Sequence, residues 1–180
     1  MHFSNLLLTP SFAQYDSPKL LAAIDTQAHR LISKGKPQEI ANTALAFATL
    51  NTPAPNFWAH LEQQQHADFL NFRTQHICNT AWALAIGGYA EERRALLRDL
   101  WSKAMATGAE EFNRDELNQL LQVGLHAEAE GVKLGKVPKE LQERMLEAAK
   151  DTDNYGTTVR PTPRERSELD DGDRRARRLK

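Results

Sequence analysis

Residues 38–48 read QEIANTALAFA, and residues 75–85 read QHICNTAWALA, so seven of the eleven positions are identical at an offset of 37 residues. A repeat of this length is typical of a helical hairpin, which cannot bury its apolar face alone and must stack against further copies. The stretch therefore predicts an all-α fold, an α-solenoid of antiparallel helix pairs.

The helical pattern extends on both sides of the two copies, to about seven helices. A third, degenerate copy has Leu117 where the first two have Ile40 and Ile77. A single helix is expected over residues 17–33; it is half of a unit, so we expect missing upstream repeats or a protein partner against it. The predicted organisation is a disordered or irregular lead over 1–15, a helical repeat domain over 16–151 with units at about 36–70, 71–111 and 112–151, and a disordered charged tail over 152–180.

The composition excludes several classes of protein. No stretch approaches the roughly 20 apolar residues of a membrane-spanning helix, so no membrane association is expected. The single cysteine, Cys78, rules out an internal disulfide and a cysteine-based metal site. Residues 160–180 hold eight basic and five acidic residues, whereas residues 1–159 hold 15 basic and 19 acidic ones. Outside the tail, the bulk charge of a nucleic-acid binder is therefore missing.

Catalytic motifs are also missing from the sequence. His60 and His66 are six residues apart, so they do not share a helix face as metal ligands at i and i+4 would. There is no glycine-rich phosphate loop and no nucleophile elbow. We therefore expect no enzyme activity, no cofactor and no metal site.

Polar side chains form one face of the first helix of each copy, at 100° per residue. An asparagine or glutamine side chain both donates and accepts hydrogen bonds, which suits the edge of a nucleobase. Ala46 and Ala83 lie on the same face and are expected to leave room for a ring. Sequence readout would fall where the copies differ, at Glu39, His76 and Glu116. The candidate RNA-contacting residues are Gln38, Glu39, Asn42, Gln75, His76, Asn79 and Gln119.

A structural role fits the same asparagines equally well. Asn42 and Asn79 are also placed to hydrogen-bond between adjacent units and fix the stacking angle. Trp82, at the border of the apolar face, favours packing between repeats over stacking on a base. The sequence leaves both interpretations of the asparagines open.

The repeat motifs resemble a known family. PQEIANTALAFATL (37–50) and TQHICNTAWALAIG (74–87) are similar to the octotricopeptide-type helical repeats of algal and protist organelle proteins, with related arrays in FAST-kinase-like proteins and in a subunit of the mitochondrial RNA-editing substrate-binding complex. The resemblance covers about residues 17–150. FNRDELNQLLQVGLHAEAEGVKL (112–134) is similar to the last repeat before a RAP domain, but the residues that follow it do not match such a domain.

The resemblance implies binding of single-stranded RNA in a mitochondrion or plastid, for RNA processing, stability or translation. The alternative is a protein–protein scaffold of the same fold, a ribonucleoprotein subunit without base contacts. A positive concave groove would favour RNA, whereas an acidic or apolar groove would favour a protein partner.

Overall fold

The computed structural model describes residues 18–68 and 71–150, and all regular structure within them is helical. The all-α class is therefore confirmed. The predicted lead over 1–15 and tail over 152–180 lie outside the described residues. The helices are α1 (Pro18–Thr26), α2 (Ala28–Lys34), α3 (Pro37–Thr49), α4 (Pro55–Asp68), α5 (Thr74–Ile86), α6 (Arg94–Met105), a 3₁₀ turn (Ala109–Glu111), α7 (Arg114–Ala129) and α8 (Lys139–Lys150).

The helix ends follow local sequence signals. Pro37 occupies the first turn of α3, where its missing N–H costs nothing. Asn51, with φ of 52°, turns the chain after α3, and Gly88, with φ of 78°, does so after α5. Positive φ at these two positions suits asparagine and glycine, which tolerate the left-handed conformation best.

The first predicted helix is not continuous, and that prediction was wrong. Gln27 separates α1 from α2, and its N–H is shared between the carbonyls of Ala23 and Ile24. The hydroxyl of Thr26 donates to the carbonyl of Ala22 at 2.9 Å. The same kind of bond occurs at Thr43 and Thr80 inside the unbroken helices α3 and α5, so it does not by itself account for the interruption.

Consecutive units pack side by side. Helices α3, α5 and α7, the first helices of the three copies, form one row with α5 in the middle; we call it the inner row. Helix α4 packs against α1, α2 and α6, whereas α6 also packs on α5 and α8 on α7. The pairs α5–α6 and α7–α8 pack as predicted, whereas α4 packs chiefly on α2 and not on α3, so the α-solenoid of antiparallel helix pairs stays a prediction. A constant solenoid rotation between the units stays a prediction.

The repeated apolar positions share one core. Ile40, Ile77 and Leu117 are all buried, at 4% exposure or less. Phe72 and Phe112, five residues before the latter two, are buried as well. Because the buried apolar residues of all units form one continuous cluster, each copy completes the interior of the next.

Polar contacts between units hold the rows in register. Buried Asp25 accepts hydrogen bonds from the Phe57 N–H at 2.8 Å and from the Asn56 side chain at 2.9 Å, so α1 is tied to the first turn of α4. Further along, the Trp101 indole donates to the Gly135 carbonyl at 2.9 Å. Arg144 of α8 donates to the carbonyls of Ala109 and Phe112. None of the described helices has the length and hydrophobicity to cross a membrane.

Candidate nucleic-acid interface

The variable repeat position occupied by Glu39, His76 and Glu116 has the same structural role in all three copies. Glu39, His76 and Glu116 each accept a hydrogen bond from the backbone N–H three residues earlier, at 2.9, 3.2 and 2.9 Å. Such a contact satisfies one of the free N–H groups at a helix start. Only Asn113 returns the bond, from the Glu116 N–H to its side chain at 3.0 Å. The residue type at this position therefore differs among the copies while its capping role stays the same.

Two of these caps have shifted pKa values. Burial lowers the pKa of His76, and the nearby Arg73 charge lowers it further; both favour the neutral imidazole, whose free ring nitrogen can accept a hydrogen bond. Burial raises the pKa of Glu116, although its hydrogen bonds with Asn113 and Thr74 act in the opposite direction. Glu116 is 4% exposed, so little of its carboxylate is left for a ligand.

A line of side-chain hydrogen bonds joins α5 to α7, and we call it the polar seam. Thr74 donates to Glu116 at 3.3 Å, Gln119 Nε2 donates to Asn79 Oδ1 at 2.9 Å, and the Trp82 indole donates to Gln122 at 2.7 Å. Asn79 and Gln119, which the repeat pattern aligns with each other, are thus bonded to each other. This hydrogen bond supports the interpretation that Asn79 joins adjacent units.

Asn42 occupies the position of Asn79 in the first copy, but its surroundings differ. Its side chain is only partly buried, and within residues 18–68 and 71–150 it makes no hydrogen bond. Gln38 and Gln75 are exposed at the first turns of α3 and α5. Among the candidate RNA-contacting residues, Gln38, Asn42 and Gln75 therefore keep their amide groups accessible.

The room expected at Ala83 does not exist. Ala83 is completely buried, whereas Ala46 in the first copy is partly exposed. The cause is the position of α5 between α3 and α7, which covers both of its flanks. A nucleobase ring therefore has no access to the surface at Ala83, and the expectation was wrong there.

The charge of the inner row is uneven. Helices α3, α5 and α7 hold one basic residue, Arg114, and four acidic ones, Glu39, Asp115, Glu116 and Glu128. However, each unit has an exposed basic residue at the start of its inner helix: Lys36, Arg73 and Arg114. Glu39, Asp115 and Glu116 stand in the same first turns, so the side-chain charges of this edge balance. The partial positive charge of the three helix N-termini remains.

An apolar groove of about 650 Å³ lies between α7 and α8, and we call it the α7–α8 groove. Trp101 and the segment between the two helices complete its walls, and Glu128 and Lys133 border it. The sequence did not predict this groove, because the repeat pattern carries no signal for a space between the two helices of one unit. Its apolar lining includes Leu121, Leu125, Leu134, Val137, Met145 and Leu146.

Reactive groups and sets of three metal-binding groups are not assembled in the described part of the chain. Cys78 is completely buried, and burial raises the pKa of its thiol far above the ordinary value. Among residues 18–68 and 71–150, no three histidine, cysteine or acidic side chains come together as a metal site. Comparison with protein-family models, with curated proteins and with solved structures finds no match to this chain.

Proposed function

We propose that the protein binds single-stranded RNA along the edge formed by the starts of α3, α5 and α7. The observation that carries the proposal is an exposed basic residue at the start of each inner helix: Lys36 and Arg73 precede α3 and α5, and Arg114 is the first residue of α7. A helix N-terminus with an adjacent cation is a favourable site for a phosphate group. One such site per unit fits a strand that crosses the row.

Two accessible amides support the same edge. Gln38 and Gln75 are exposed in the first turns of α3 and α5 and can reach a base while the phosphates lie at the basic residues. Two of the acidic residues nearby, Glu39 and Glu116, accept backbone hydrogen bonds, which offsets part of their repulsion. Following the resemblance of the repeats, we place this RNA binding in a mitochondrion or plastid, in RNA processing, stability or translation, without enzyme activity.

The test compares two triple variants with the same loss of charge. Lys36, Arg73 and Arg114 are changed to alanine in one, and the exposed Lys133, Lys136 and Lys139 in the other. Fluorescence anisotropy with a pool of labelled single-stranded RNAs is measured across a salt series. The first variant should lose at least about tenfold in affinity, and the slope of log affinity against log salt should decrease by about 2. Equal affinities for both variants would locate RNA binding elsewhere.

The second candidate is a protein-binding scaffold of a ribonucleoprotein. The α7–α8 groove and the acidic excess of the inner row favour it. In the same titration, a parent chain that binds no RNA even at low salt would decide for the scaffold.

A further inference from the structure

Two histidines on neighbouring helices meet at the surface of the helical array. His29 belongs to α2 and His60 to α4, and the centroids of their imidazole rings are 6.0 Å apart, with the ring planes inclined by 58°. His29 is exposed and His60 is half-buried, so solvent reaches the pair. The two residues are far apart in the chain and do not form a local metal motif, so the pair is recognisable only in the fold.

The register of the two helices is fixed about one turn before this pair. Buried Asp25 accepts a hydrogen bond from the Asn56 side chain at 2.9 Å. His29 follows Asp25 by four residues, and His60 follows Asn56 by four residues, about one helical turn in each case. Backbone hydrogen bonds on both sides of Gln27 keep that turn between α1 and α2. The bond between Asp25 and Asn56 therefore holds the two imidazoles at the same level of neighbouring helices before any ligand binds.

The separation of the two rings suits a shared metal ion. An imidazole nitrogen lies about 2.1 Å from a bound Zn²⁺, so the centroid of its ring is about 3.2 Å from the ion. Two rings on one tetrahedral ion have centroids about 5.2 Å apart, and about 6.4 Å is the largest separation that one ion can span. The distance between the rings of His29 and His60 lies between these two values. Rotation of the side chains can therefore bring both rings onto one ion while the helices stay in place.

We infer that His29 and His60 form a site for a divalent transition-metal ion, Zn²⁺, Ni²⁺ or Cu²⁺, that bridges α2 and α4. These ions accept neutral imidazole as a ligand, whereas Mg²⁺ and Ca²⁺ prefer oxygen. The two nitrogens fill half of the positions of a tetrahedral ion, and water takes the others. The bound ion links α2 to α4 next to the bond between Asp25 and Asn56, so it stabilises the packing of these helices. The inference does not depend on RNA binding.

Isothermal titration calorimetry of the full chain with zinc chloride tests the site. The parent chain should bind Zn²⁺, and His29→Gln and His60→Gln should each lower the affinity at least about tenfold, because each removes one of two ligands. His76→Gln is the matched control. It also removes one imidazole, but on α5, and glutamine can still serve as the acceptor at that helix start, so the zinc affinity should not change. An excess of Mg²⁺ should not displace the zinc.

Urea unfolding distinguishes a bridge between two helices from binding at a single histidine. Zn²⁺ should raise the urea midpoint of the parent and of the His76→Gln chain, and this rise should disappear in His29→Gln and in His60→Gln. Far-UV circular dichroism without metal confirms that each variant is folded. A parent chain that binds no Zn²⁺ overturns the inference. So does zinc binding that survives either substitution at the pair unchanged, because the ion is then held by other groups.

Discussion

The polar seam predicts that two asparagines with the same local sequence contribute very differently to stability. Asn42 and Asn79 both precede Thr-Ala on the inner face of a repeat, but only Asn79 is buried and bonded, to Gln119 at 2.9 Å. Asn79→Ala removes that hydrogen bond, worth about 1 kcal/mol, and the packing of a buried side chain. We expect a loss of about 1.5 kcal/mol in the free energy of unfolding, against at most about 0.5 kcal/mol for Asn42→Ala.

Urea unfolding followed by circular dichroism measures this difference. With a slope of about 2 kcal/mol per molar urea, the Asn79→Ala midpoint should fall by about 0.7 M. The change in helix propensity from asparagine to alanine is the same at both positions, so it cancels in the comparison. A double-mutant cycle of Asn79→Ala with Gln119→Ala should give a coupling of about 1 kcal/mol. Equal effects at both asparagines, or a coupling near zero, would refute a stabilising role of the seam.

Three further predictions follow from buried polar groups. Asp25→Ala should destabilise the protein by about 3 kcal/mol, because the buried Phe57 N–H loses its acceptor; Asp25→Asn, which keeps one acceptor oxygen, should cost less in the same urea assay. Burial raises the pKa of Glu116 above its ordinary value of 4.5, so its contribution to stability is full below that pH and is lost as the pH rises through the folded-state pKa. The Glu116→Gln variant should therefore become more stable relative to the parent as the pH rises from 4 to 7, which urea unfolding at each pH measures. A difference in unfolding free energy that stays constant over this range would contradict the prediction. Since burial raises the pKa of Cys78, a thiol-reactive dye should label it at least about 100-fold more slowly in the native chain than in urea, and fast native labelling would show that the unit opens.

Much of the fold could be predicted because its signals are local. Pro37 and Gly87 mark helix ends whatever lies around them, and the spacing of Ile40, Ile77 and Leu117 identifies the buried positions of each copy. The bend at Gln27 was missed because the apolar spacing continues through it.

The candidate interface was less predictable, because a helical projection shows one helix without its neighbours. Asn42 and Asn79 have equal positions on the projection, yet α5 is flanked on both sides whereas α3 stands nearer the end of the row. Burial of Ala83 has the same origin. The capping role of Glu39 and Glu116, in contrast, had a sequence signal in the acidic residue three places after each helix start.

The bond between Asn79 and Gln119 also bears on how such an array grows. Its two partners occupy the same position in successive copies, and an amide can both donate and accept. A gene segment that duplicates a unit with an amide at this position therefore supplies both partners of a possible junction at once, which α5 and α7 use and which Asn42 of α3 does not. A lysine or glutamate at this position would face an identical charge in the next unit and be repelled by it. An amide avoids this repulsion, so units can be added or lost without a charge conflict.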